Sequence, residues 1–186
     1  HADTEVILAA YERWGEAFVT HLRGMFAFGL WDSRNQTLLC ATDRFGIKNL
    51  YYAQLGEALL FASEVKPLAA CGVRLHPDDR MLYQYLAYGL LDHDERTLFR
   101  GIYQLRPATL LRYRDGHLRQ SRYWDVPSTE PDDEATDQSI LPAVRAELEE
   151  SIQFHLRGDV EVALSHSSGL DSHVLRLLVN ALDLPR

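Results

Sequence analysis

The chain has 186 residues, 46% of them hydrophobic and 25% charged, which excludes a disordered chain, a collagen and a coiled coil. At roughly 100–200 residues per domain, this length implies one domain, or one and a piece of another. A net charge of −8, from 27 acidic and 19 basic residues, gives no electrostatic reason to bind nucleic acid or an anionic membrane. No stretch approaches the ~20 apolar residues of a bilayer span, and no basic-then-apolar leader opens the chain. Cys40 and Cys71 suggest neither a disulfide framework nor a zinc site, so the expected setting is a reducing cytoplasm. The chain opens at His1 rather than Met and closes at Arg186 just after a helical pattern, so both ends read as cut.

In chain order, Asp3 or Thr4 caps a helix carrying Val6, Ile7, Leu8, Tyr11 and Trp14 at helical spacing. A short second helix is expected from about Glu16 to Leu22. Met25–Trp31 and Thr37–Thr42 read as a hairpin around a polar turn, with the first strand as core and nothing more. A second hairpin pairs Leu50–Gln54 with Ala58–Ala62, and Ser63 is expected to cap a short helix to Ala70. The Asp43–Tyr52 connection reads as a tight link braced by ion pairs, Asp43 and Arg44 pairing with each other or with Glu64 and Lys66. His76–Asp79 opens a helix with Met81, Leu82, Tyr85 and Leu86. Gly101–Leu105 and the Thr109–Arg114 and Leu118–Trp124 pair, turned by Asp115–Gly116, complete a mixed half.

The composition then shifts. Pro127–Gln138 holds two prolines and a run of acidic residues with almost no apolar side chain, as linkers do. A helix from Ile140, a strand over Asp159–Leu164, a small-residue loop and a helix from His173 to Leu182 follow. The loop Ser167–Ser168–Gly169–Leu170–Asp171–Ser172 lies between an apolar run and a helix. A helix N-terminus offers unpaired N–H groups and partial positive charge, small residues admit an anion, and Asp171 could hold a Mg²⁺ that bridges phosphate oxygens. The Walker lysine is absent, and the same residues also read as an ordinary helix cap. His155, His166 and His173 have no recurrent ligand spacing.

Taken together, these segments resemble the glutamine-hydrolysing asparagine synthetases of the bacterial type. Ala2–Leu8 is similar to S-D-T-E-V-L-L, Gly24–Asp32 to G-M-F-A-F-A-L-W-D, and Asp43–Tyr52 to D-R-F-G-I-K-P-L-Y-Y, with Asn49 in place of the proline. Phe61–Lys66 resembles F-A-S-E-I-K, and Thr97–Ile102 and Arg122–Trp124 fit the close of that domain. Ser167–Ser172 resembles the S-G-G-L-D-S pyrophosphate loop, with Ser168 for a glycine and His166 for the preceding leucine.

The resemblance implies an α+β N-terminal-nucleophile-hydrolase-like glutaminase part over 1–126, an acidic linker over 127–139 and the start of an α/β pyrophosphate-loop synthetase domain over 140–186. It implies conversion of aspartate to asparagine through β-aspartyl-AMP, with ammonia from glutamine. ATP and Mg²⁺ would be required, the partners being glutamine, aspartate and ATP; a homodimer is left open. Asp3 matches the aspartate that binds the α-ammonium of glutamine, and His166, Ser167, Ser168, Gly169, Leu170, Asp171 and Ser172 match the ATP and pyrophosphate contacts. The nucleophilic cysteine would precede His1; Cys40 cannot replace it, having no free α-amine. The chain by itself is therefore expected to be inactive. Two alternatives stand beside this reading: a related amide-forming synthetase of the β-lactam synthetase or lasso-peptide cyclase type, and a non-catalytic scaffold with the glutaminase fold.

Overall fold

A computed structural model describes residues 3–128, 136–158 and 161–182. It divides into two compact units, residues 1–127 and 128–186.

The first unit opens with α1 (Asp3–Trp14) and a 3₁₀ helix (Gly15–His21). Strands β1 (Ala27–Asp32), β2 (Thr37–Thr42), β3 (Tyr51–Leu55) and β4 (Ala58–Ala62) follow, then helices α2 (Val65–Ala70) and α3 (Asp79–Tyr88). Strands β5 (Ile102–Gln104), β6 (Thr109–Arg114) and β7 (His117–Arg122) close it. Two antiparallel sheets result, one in the order β1-β2-β6-β7, the other β4-β3-β5.

Side-chain alternation along the strands stacks the layers. On the larger sheet, Leu30, Leu39, Ala41 and Leu110 face α1 and the 3₁₀ helix, where they meet Ala10, Phe18 and Val19. The alternate residues Cys40 and Leu111 point the other way and pack with Leu50, Tyr52 and Leu105. The outer face of the smaller sheet puts Ala53 and Ile102 against Leu68 of α2. The order is thus helix, sheet, sheet, helix. Burying a side chain such as Phe18 contributes roughly 1.5–3 kcal/mol, so these clusters hold the layers together. Cross-sheet bonds fix the alignment: Gln120 Nε2 donates to the Tyr52 hydroxyl at 2.7 Å, and the Tyr113 hydroxyl donates to the Glu57 carbonyl. Gly29 on β1 lies under the Phe61 ring, and a Cβ there would come within 2.5 Å of the ring.

The expected hairpins are present, with changed ends. The first strand starts at Ala27, not Met25, and its Trp31 is exposed, so it is not wholly core. Glu64, rather than Ser63, stands at the N-cap of α2, and its side chain makes no capping bond. Helix α3 starts within the expected His76–Asp79 opening, where Asp78 is the cap, accepting from the N–H groups of Arg80 and Met81.

In the second unit, α4 (Asp137–His155) begins three residues before Ile140, because the Ser139 Oγ accepts the Thr136 N–H at 3.1 Å and starts the first turn earlier. The strand expected over 159–164 falls partly on Asp159 and Val160, outside the described residues. Among the described residues, 161–164 carry no strand pairing, and a single extended segment without a partner strand has nothing to bond to. Helix α5 (Leu170–Ala181) starts three residues before His173, so half of the small-residue loop is its first turn.

Candidate functional site

The candidate residues lie in both units. Asp3 is the first residue of α1 and is exposed there. With Glu5 it puts negative charge in the first turn, which the helix dipole favours.

At the other candidate, Gly169 is the N-cap of α5, with Leu170, Asp171 and Ser172 in its first turn. The Ser172 hydroxyl lies 2.9 Å from the carbonyl oxygens of both Ser167 and Gly169, and accepts the Ser167 N–H at 3.2 Å. The Ser167 Oγ accepts the Gly169 N–H at 3.2 Å and lies 3.1 Å from the Ser172 Oγ. Serine hydroxyls thus draw the chain into a closed turn before the helix. Ser168 stands where the resembled loop has glycine, and among the described residues it is not one of the non-glycine positions with positive φ. Its Cβ therefore brings no left-handed strain. His166 and His173 meet edge to face with ring centroids 4.5 Å apart, and His173 Nδ1 lies 3.0 Å from the Gly169 carbonyl oxygen. Asp171 is exposed, and among the described residues no group of three metal-binding side chains forms.

Two residues prominent in the sequence prove structural. Burial pushes the Cys40 thiol up to about 12, so it is held as an inert thiol within β2. Asp43, only 1% exposed, departs from the expected ion-pair role. Its carboxylate accepts four backbone N–H groups, those of Phe26, Phe45, Ile47 and Lys48, at 3.0–3.2 Å. Its own carbonyl accepts from Gly46 and Ala108. A buried carboxylate needs such donors, and a loop needs an acceptor for its inward N–H groups; each answers the other. Arg44 turns away, its Nη2 donating to the Thr20 carbonyl at 3.3 Å and its guanidinium lying over Trp124. Gly46, at φ +64°, cannot carry a side chain, since a Cβ would come within 2.8 Å of Pro107. The sequence signal for this hub is an aspartate at a strand end, three residues before a glycine.

Comparison with known proteins places this fold. The family profile of the glutamine amidotransferase domain matches residues 1–124. The chain belongs to the glutamine amidotransferase family. Its relatives point further: asparagine synthetase [glutamine-hydrolyzing] 3 of Bacillus subtilis is 36% identical over 94% of this chain and 28% of its own length. Asparagine synthetase [glutamine-hydrolyzing] 1 of the same organism is 33% identical over 92% of this chain and 27% of its own length. A protein named amidase chry2 from Gibberella zeae is 36% identical over 98% of this chain and 27% of its own length. The chain thus spans little more than a quarter of these relatives and holds a glutamine amidotransferase domain of the asparagine synthetase-like kind. Among solved structures, the glutamine phosphoribosylpyrophosphate amidotransferase of B. subtilis covers 97% of this chain and 38% of its own, at 16% identity and a TM-score of 0.41. Among the described residues, no helix is long and apolar enough to cross a membrane.

Proposed function

We propose that this chain is part of an ATP-dependent, glutamine-hydrolysing asparagine synthetase. Residues 1–126 are its glutaminase part, 127–139 a linker and 140–186 the start of its synthetase domain. The observation that carries the reading is that the similarity to asparagine synthetases runs past the amidotransferase domain, over 92–94% of the chain. The serine-rich turn at the start of α5 lies in that further part.

In this reading Asp3 holds the α-ammonium of glutamine by a charge-assisted hydrogen bond. His166–Ser172 holds the phosphates of ATP, through hydroxyls and the free N–H groups of the first turn of α5. A carboxylate is a poor electrophile; adenylation to β-aspartyl-AMP gives it a leaving group, and ammonia from glutamine displaces AMP. Residues 166–172 orient the phosphates, so that pyrophosphate leaves against a fixed field of donors. One exposed carboxylate suits Mg²⁺ only when phosphates and water complete its shell, and Asp171 would hold it in that way. A Mg²⁺ held by Asp171 would supply charge neutralisation for the phosphate oxygens.

The test at the site is a titration of the chain with ATP and Mg²⁺, read at backbone amide signals. Changes confined to residues 166–172, and abolished in Ser172→Ala, are expected; unmoved signals there reject the loop assignment. For the reaction, the full-length gene product should release pyrophosphate only with aspartate present. The relatives named amidases, at the same 36% identity, favour a second reading in which another amide is the product or substrate. Pyrophosphate release that ignores aspartate but answers to a different carboxylate would select it.

A further inference from the structure

The β6–β7 hairpin gathers positive charge on one face of a chain whose net charge is −8. Arg112 faces Arg119 across the strands, and Arg114 faces His117. These pairs alternate with Tyr113 and Leu118, which pack between the two sheets, so the three arginines and His117 share the opposite face. Like charges directly across a ladder repel and are destabilising unless something lies between them.

The protein's own carboxylates answer only part of that charge. Glu16 Oε1 is 3.4 Å from Arg112 Nε, and Asp115 Oδ2 is 3.2 Å from Arg114 Nε. The Arg112 Nε is buried yet completes no hydrogen bond, and among the described residues the Arg119 side chain is in no hydrogen bond or ion pair. Arg112, Arg114, Asp115, His117 and Arg119 together line a concavity of about 240 Å³. That lies below the ~300–1,000 Å³ of pockets for drug-sized ligands, and fits a small anion better than a peptide or a nucleoside.

We propose that this hairpin face is a binding site for a small phosphoryl anion, of the inorganic phosphate or pyrophosphate class. Guanidinium forks match phosphoryl oxygens in pairs, and three of them around one concavity supply donors that a compact anion can bridge across the strands. The site is separate from the serine turn at α5 and does not depend on its assignment.

The experiment is calorimetric titration of the whole chain with inorganic pyrophosphate, and separately with phosphate, at constant ionic strength held with chloride. Amide signals of residues 112–119 locate the binding. Arg114→Gln and Arg119→Gln sit on exposed positions and should leave the circular dichroism spectrum unchanged. Saturable binding is expected, with shifts at 112–119, weakened at least tenfold in each variant and unaffected by Ser172→Ala. Binding that survives both arginine variants but is lost in Ser172→Ala overturns the proposal and leaves the α5 turn as the anion site. A response that chloride reproduces at equal ionic strength, or no response, overturns it as well. Binding of phosphate and pyrophosphate alike would mark a site for a single phosphoryl group; binding of pyrophosphate alone would mark one that needs two.

Discussion

The two units bury their apolar residues to very different degrees. In residues 3–127, both faces of β2 are covered and three buried clusters fill the space between the layers. In the described part of the second unit, only Ile152 and Leu178 are buried, while Leu141, Val144, Leu170 and Leu177 stay exposed. Yet α4 and α5 carry apolar residues at helical spacing, as α1 does. The difference teaches that amphipathic spacing forms a helix but not a core; a core needs a second surface, and sheets supply broad ones.

The sharpest way to break this comparison is to remove one buried residue from each unit. Phe18→Ala should destabilise the first unit by about 3–5 kcal/mol, since it empties a fully enclosed site. Leu178→Ala should change the same transition by less than about 0.5 kcal/mol, as Leu178 belongs to the other compact unit. Tryptophan fluorescence reads the right transition, because Trp14, Trp31 and Trp124 all lie in the first unit. Comparable effects from the two variants would show that the units melt as one.

A somewhat smaller effect is expected at the Asp43 hub. Asp43→Ala removes the acceptor of four inward N–H groups and should cost about 2–4 kcal/mol in denaturant unfolding, at roughly 1–3 kcal/mol for each buried donor that stays unpaired once water reaches all but one or two of them. Asp43→Asn keeps an oxygen and should recover part of the loss. An alanine variant as stable as the parent would mean the loop holds itself.

The smallest effect lies at the far end of β1. The Tyr11 hydroxyl donates to Asp32 Oδ2 at 2.7 Å, and Asn35 Nδ2 donates to the same oxygen. The bond from Tyr11, followed by those from Asn35, holds the Asp32 carboxyl down at about 2, against an ordinary 3.8. A depressed carboxyl adds stability that is fully present above its unfolded value and lost as the pH falls through the folded one. The melting temperature should therefore drop as the pH falls from 4 to 2, and Tyr11→Phe should make that drop shallower by bringing Asp32 back toward its ordinary value. An unchanged slope would remove Asp32 from the account of acid sensitivity.

The hairpins, the presence of the helices and the composition change near residue 127 were legible in the sequence because each is local, whereas the starts of α2, α4 and α5 were displaced by one to three residues. Asp115–Gly116 is one such case: both take positive φ, the conformation a two-residue hairpin turn requires. The segments carrying the family resemblance are likewise linear strings, and the family comparison bears them out over residues 1–124. The serine turn could be read for the same reason, its hydrogen bonds all falling within a few residues. The expected strand is not formed over its described part, 161–164, because alternation states only that a segment could be a strand. A ladder has to be completed by a partner from elsewhere.

What the sequence determined by itself was the elements of the first unit, the two helices of the second and the order of the family segments, since propensity, turn chemistry and motif spacing act over a few residues. Tertiary structure alone decided which faces met. It turned Asp43 from the partner of exposed charges into the buried acceptor of four backbone donors. It also set β2 beside β6 and β3 beside β5, because the register between strands far apart in the chain is set only when the two segments pair.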